Sequence, residues 1–134
     1  MSRPRARDVM TSEPITLSPE LDVLVAMRLL VEKRISGAPV VDVRGNLVGV
    51  LTQRDCLRVA YAASYHQEPA GAVSGYMSQP VTTVPADLEL VELIGVFLRS
   101  PYRRFPVLED NRVVGIVSRR DVLSAALDLL GKVG

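Results

Sequence analysis

Apolar positions along the chain recur in two rhythms. From Asp22 to Lys33 they fall at Val23, Ala26, Met27 and Leu30, the i, i+3, i+4, i+7 stripe of a helix with one buried face. Leu90, Leu93, Ile94 and Phe97 repeat that stripe. The period then shortens to that of strands. Ala38-Pro39-Val40-Val41-Asp42 and Leu47-Val48-Gly49-Val50-Leu51 are β-rich runs parted by a Gly/Asn turn, which predicts an antiparallel hairpin. Phe105 to Glu109 and Val113 to Val117 predict a second one. Each hairpin leads into another helix, starting near Thr52 and Ser118. In the first of these, Cys56, Leu57, Val59, Ala60, Tyr61 and Ala63 put apolar groups around most of the circumference, so the helix needs two apolar neighbours. One is its own sheet; the other is expected to be a second chain, in a homodimer.

The rhythm is duplicated. Met10, Thr16, Pro39 and Val40 recur as Met77, Thr83, Pro106 and Val107, and Val48, Gly49, Arg54, Asp55 and Leu57 recur as Val114, Gly115, Arg120, Asp121 and Leu123. The spacing drops by one residue between the two sets, where Val43-Arg44-Gly45-Asn46 faces Asp110-Asn111, and turns absorb such changes cheaply. Each copy is about 60 residues, a size at which a lone core is marginal, so the two are expected to pack as one module. The order strand, helix, strand, strand, helix in each copy predicts an α+β fold, each copy a small sheet packed by helices. The expected division is a flexible basic tail over 1–7, the first copy over 8–65, a linker over 66–73 and the second copy over 74–131. The linker reading rests on His66-Gln67-Glu68-Pro69-Ala70-Gly71, which has helix breakers and no apolar period.

Composition narrows the function classes. The chain has 134 residues with a net charge of +1, which gives no global field to attract nucleic acid or an anionic membrane. No run approaches the ~20 apolar residues of a membrane-spanning helix. One cysteine, Cys56, excludes an internal disulfide framework and suits a reducing cytoplasm. One histidine, His66, leaves little basis for a zinc site or a His-dependent triad, and no nucleophile and base stand in a recognisable arrangement. The chain is therefore read as a cytoplasmic non-enzyme that requires no cofactor.

The most informative motif is Gly49-Val50-Leu51-Thr52-Gln53-Arg54-Asp55 with its copy Gly115-Ile116-Val117-Ser118-Arg119-Arg120-Asp121, each at a strand-to-helix junction. A helix N-terminus offers unpaired N–H groups to a polar ligand, and an ionised Asp can hold the two vicinal hydroxyls of a ribose. The same Thr/Ser-x-x-Asp spacing is that of a capping box, in which hydroxyl and carboxylate close the helix's own first turn. Spacing alone leaves both readings open.

Taken with Asp8-Val9-Met10-Thr11 and Gly37-Ala38-Pro39-Val40-Val41-Asp42, this twice-repeated order of motifs resembles tandem cystathionine-β-synthase (CBS) domains, paired as a Bateman module. The resemblance covers nearly the whole chain. It implies two pseudo-twofold-related repeats whose clefts bind AMP, ADP, ATP or S-adenosylmethionine, and modules that dimerise. It further implies that Asp55 and Asp121 hold ribose hydroxyls beside Thr52 and Ser118, and that Thr16 and Thr83 reach the base or sugar. Ala38, Pro39, Phe105 and Pro106 fall on the strand expected to contact the base, with Phe105 either stacking on an adenine or filling the pocket itself. For phosphates, the planar fork of Arg suits bidentate contact, and Arg54 and Arg120 recur at matching places.

Other candidates carry blander expectations. Arg103 and Arg119 fit solvated faces, Arg3, Arg5 and Arg7 a mobile terminus, and Cys56, Met10, Met27 and Met77 the core; Tyr102 packs or binds. The function expected is a stand-alone regulatory sensor for an adenosine-type ligand, signalling to an effector protein. The alternative is a ligand-free dimerisation or interaction module in which the aspartates only cap helices.

Overall fold

The computed structural model describes residues 3–66 and 70–131, so the expectations for the His66 side chain and for linker residues 67–69 lie outside the described residues. In chain order the elements are α1 (Ala6–Val9), β1 (Thr11–Ser12), α2 (Val23–Lys33), β2 (Gly37–Val41), β3 (Leu47–Thr52), α3 (Gln53–His66), a 3-10 turn (Val73–Gly75), β4 (Val84–Pro85), α4 (Leu90–Arg99), β5 (Arg104–Glu109), β6 (Arg112–Ser118) and α5 (Arg119–Gly131). The fold is mixed α+β, with both amphipathic helices and both hairpins where the apolar rhythm places them.

Two compact units form, and each mixes the sequence copies. A continuous unit runs from Ile15 to Val81; a composite unit joins the segment ending at Pro14 to the segment beginning at Thr82. In the composite unit the strand order is β1-β6-β5-β4, with Thr11 antiparallel to Ile116 and β4 parallel to β5. In the continuous unit the β2-β3 hairpin is flanked by single bridges, Leu17 parallel to Val40 and Ser78 antiparallel to Val50. The short leading segment of each copy thus pairs with the hairpin of the other copy.

Residues 3–9 are bonded in place, which corrects the expectation of a free basic tail. Ala6 N donates to Leu88 O at 2.8 Å, Arg7 N donates to Ala86 O at 2.9 Å, and Pro4 O accepts from Leu90 N at 2.9 Å. The Ala6 methyl is fully buried, and Arg7 and Arg3 pair with Glu109 and Glu89 at 3.0 and 3.5 Å. Backbone pairing and a buried side chain hold a segment that charge alone would leave in water.

The hairpin turns explain the change of spacing. The second closes on Asp110 and Asn111, with φ of 52° and 64°, the two left-handed residues of a tight two-residue hairpin turn. The first is longer: Asp42 Oδ1 accepts from Arg44 N and Asn46 N, both at 2.9 Å, and Gly45 takes a φ of 86°.

Duplicate positions fill duplicate cores. Leu17, Val23, Ala26, Leu30, Ala38, Val40 and Leu51 in one unit match Val84, Leu90, Leu93, Phe97, Phe105, Val107 and Val117 in the other. Where the continuous unit has Leu30 and Ala38, the composite unit has two rings whose centroids lie 4.8 Å apart. Met10, Met27, Met77 and Cys56 pack partly buried against the two cores, as expected. Among the described residues, no helix is long and apolar enough to cross a membrane.

Candidate functional site

The two Thr/Ser-x-x-Asp motifs sit where a central strand hands over to the last helix of each copy, and they are bonded differently. Asp55, 1% exposed, turns back onto the start of α3. Thr52 N and Thr52 Oγ1 donate to its Oδ2 at 2.9 and 3.0 Å, while Asp55 N donates to Thr52 Oγ1 at 3.2 Å. Its other oxygen, Oδ1, accepts from Ser78 Oγ at 2.9 Å and from Arg58 Nη1 at 3.4 Å. A carboxylate has about four acceptor positions, and all of them are engaged here. This is a capping box with two additional clamps.

Asp121 makes the box and lacks the clamps. Ser118 N donates to its Oδ2 at 2.9 Å and Asp121 N donates to Ser118 Oγ at 3.1 Å. The positions that match Ser78 and Arg58 are Thr11 and Ser124, and neither bonds Asp121. Among the described residues, Asp121 Oδ1 has no hydrogen-bond partner. Half-buried, it borders a groove of about 830 Å³ lined by α1 and the residues before it, the start of α4, and one face of α5.

The groove's apolar lining is Pro4, Val9, Leu90, Val91, Ala125 and Leu129, of which Leu90 is buried and Val91 and Leu129 are exposed, and its polar lining is Arg3, Asp8, Glu89, Asp121, Ser124 and Asp128. Its volume falls within the ~300–1,000 Å³ of small-molecule sites. Asp121, Ser124, Ala125 and Asp128 share a face because they recur at i, i+3, i+4 and i+7 on α5. Glu89, Ser124 and Asp128 have no role in the sequence reading, and Asp8 stands there only within the Asp8-Val9-Met10-Thr11 motif. The signal that marks Asp8 and Asp128 is departure from the duplication, since Gly75 and Ala62 hold the matching positions.

The other expected site residues are more dispersed. Ala38, Pro39 and Pro106 are buried in their strands, Thr16 is exposed just before Leu17, and Thr83 is half-buried just before β4. Thr52 and Ser118 close their strands, half-buried, and Arg54 and Arg120 stand exposed in the first turn of their helices. Of the two roles open to Phe105, its geometry is that of a core residue: it is 0% exposed, between Phe97 and the edge of the Tyr102 ring. Of the residues expected to hold a ligand in the second copy, the groove brings in Asp121 alone.

Cys56, beside Asp55, is half-buried; burial first, and the Asp55 charge second, push its thiol pKa above the ordinary value. Among the described residues, no group of three or more His, Cys, Asp or Glu is placed to hold a metal ion.

Two copies of one strand-helix-hairpin-helix pattern, each with a capped Gly-x-x-Thr/Ser-x-x-Asp junction, define a tandem-repeat module. The chain belongs to the CBS domain family, whose model matches residues 6–62 and again 73–128. Among solved structures it is similar to CBSX2 of Arabidopsis thaliana in complex with AMP, at 29% identity and a TM-score of 0.82 over 94% of this chain and 98% of that one. It is also similar to the CBS domain pair of protein MJ0100 in complex with 5′-methylthioadenosine and S-adenosyl-L-methionine, at 25% identity and a TM-score of 0.75 over 99% and 100% of the two chains. Among curated relatives, it is 30% identical over 128 residues to the A-adding tRNA nucleotidyltransferase of Aquifex aeolicus, and it spans only 15% of that protein's length.

Proposed function

We propose that this chain is a regulatory sensor module that binds an adenosine-type ligand and passes the change to a partner protein. Asp121 is the residue that grips the ribose. The observation that carries this reading is the contrast between the two aspartates: Asp55 has every acceptor position engaged, and Asp121, at the edge of a groove of ligand size, keeps an oxygen without a partner among the described residues. The similar proteins solved with AMP, or with methylthioadenosine and S-adenosylmethionine, support the ligand class. For Asp55 the geometry favours the capping reading.

The module acts as a homodimer in the cytoplasm and performs no catalytic step of its own. Dimerisation is supported by the outward apolar stripes Leu57, Tyr61 and Tyr65 on α3 and Leu123, Leu127 and Leu130 on α5, each 66–71% exposed. Leucines at such helical spacing are costly to leave in water.

Thermal melting against AMP, ADP, ATP and S-adenosylmethionine tests the ligand reading. A ligand at 100 times its dissociation constant adds about 2.7 kcal/mol, which raises the melting temperature by several degrees. Flat melting temperatures for all four at millimolar concentration contradict it. Native mass spectrometry of freshly purified protein reads out a retained nucleotide and the subunit count together.

A further inference from the structure

Residues 3–9 wall one side of the groove, through Arg3, Pro4, Asp8 and Val9. They dock by a backbone pattern that the chain uses twice. Ala6 N, Arg7 N and Pro4 O bond Leu88 O, Ala86 O and Leu90 N, and at the duplicate positions Val73 N, Ser74 N and Gly71 O bond Leu21 O, Pro19 O and Val23 N, all at 2.8–2.9 Å. The side chains behind the pattern differ. Val73 and Ala6 are both 0% exposed, so the segment in the continuous unit is anchored by an isopropyl group and residues 3–9 by a single methyl. The larger group removes more apolar surface from water.

Ion pairs take the place of that anchor. Arg3, Arg5 and Arg7 stand where the continuous unit has Ala70, Ala72 and Ser74. Arg3 and Arg5 reach Glu89 at 3.5 and 4.0 Å, Arg7 reaches Glu109 at 3.0 Å, and Arg5 Nη1 also donates to Asp87 O. Glu89 has changed its role. Its duplicate, Asp22, caps α2 by accepting from Leu24 N at 2.8 Å, whereas Glu89 makes no side-chain cap on α4 and turns its carboxylate to the arginines. The side chains of all five charged residues are 31–80% exposed, so dissolved salt screens their attraction. Residues 3–9 are thus held by less apolar burial and more screenable charge than their duplicate.

We infer that residues 3–9 form a charge-held strap that undocks while the rest of the composite unit stays folded, and that its docking is the conformational change coupled to ligand in the groove. The inference rests on the reading of the groove as the ligand site. A ligand seated between α5 and the strap touches Pro4 and Val9 only in the docked form, so it binds that form more tightly and shifts the population toward it. By reciprocity, whatever releases the strap weakens the ligand.

Amide hydrogen exchange followed by NMR tests it, because the chain carries its own control: Val73 and Ser74 report on the neutral duplicate, Ala6 and Arg7 on the strap. The probes are AMP and S-adenosylmethionine, with binding to the same samples measured by titration calorimetry. In the free chain, the protection of Ala6 and Arg7 is expected to fall at least about tenfold below that of the slowest amides in the β5-β6 hairpin. Raising sodium chloride from about 0.05 to about 0.5 M should lower it further, by roughly two- to fivefold relative to Val73 and Ser74. Arg7→Gln removes one exposed ion pair outside the groove's lining and should lower it by about 1.5- to 5-fold. A bound probe at ten times its dissociation constant should raise it about tenfold. Strap amides protected as strongly as the hairpin, or indifferent to salt and to Arg7→Gln, overturn the inference and leave the adenosine reading standing. So does a probe that binds by calorimetry and leaves the protection of Ala6 and Arg7 unchanged. Binding of neither probe overturns both.

Discussion

Met77 lies across Gly49, with its sulfur 2.6 Å from where a Cβ on that glycine would stand. Met10 covers Gly115 in the same way. The glycine of each Gly-x-x-Thr/Ser-x-x-Asp motif is thus explained by packing: it lets the methionine of the neighbouring segment cross the central strand. In the continuous unit that segment is held by reciprocal backbone bonds between Val50 and Ser78, at 2.8 and 3.1 Å. Adding a methyl group overpacks the contact.

Gly49→Ala is accordingly expected to cost about 1–3 kcal/mol in chemical denaturation. Combining it with Met77→Ala should cost less than the sum of the two single changes, because both act on one contact. Strict additivity would contradict the assignment.

The two aspartates should separate in stability as they do in bonding. Asp55→Ala removes a cap and leaves Ser78 Oγ and Arg58 without their acceptor, so a loss of about 2–3 kcal/mol is expected. Asp121→Ala removes only a half-buried cap, for about 0.5–1 kcal/mol. Urea melts of both variants measure the difference; equal losses would contradict it.

Cys56 has its thiolate disfavoured by burial and by Asp55, so its pKa in the folded chain is raised. The folded form then holds its proton at a pH where the unfolded thiol has lost it, and stability falls as pH rises above the unfolded pKa toward the folded one. Cys56→Ala should flatten that alkaline decline. Alkylation of the native protein should also follow a pH midpoint above that of a free thiol. A midpoint at or below the free-thiol value counts against this environment.

If α5 meets a second chain, Leu123→Asp combined with Leu127→Asp should convert a dimer into a monomer in size-exclusion chromatography with light scattering. Both side chains are about 70% exposed, with relative values of 70% and 68%, so the fold should survive. A wild-type chain that runs as a monomer at high micromolar concentration would contradict the dimer proposal.

Much of the fold was legible because apolar period and turn chemistry are local. The stripe from Val23 to Leu30, the paired β-rich runs and the Asp110-Asn111 turn all appear where the sequence puts them. The exchange of leading segments was not legible, since Met10-Thr11 and Met77-Ser78 are near-identical sequences and nothing local tells Thr11 to pair with Ile116. The bonding of Arg3, Arg5 and Arg7 was hidden for the same reason: Glu89, Asp87 and Glu109 lie far away in sequence. For the site, spacing found both aspartates and left cap and ligand grip undecided. The decision lay in Ser78 and Arg58: Ser124 is shorter and uncharged where Arg58 stands, and Thr11, with the same hydroxyl as Ser78, makes no bond to Asp121.

Titration calorimetry of one adenosine ligand, S-adenosylmethionine, against the wild-type chain, Asp55→Asn and Asp121→Asn tests the central claim most directly. Loss of a charge-assisted hydrogen bond is worth about 1.5–3 kcal/mol, or roughly 10- to 100-fold in affinity. The account predicts that loss for Asp121→Asn, with Asp55→Asn retaining wild-type affinity at one ligand per chain. Wild-type binding by Asp121→Asn, with the loss falling on Asp55→Asn instead, would contradict it.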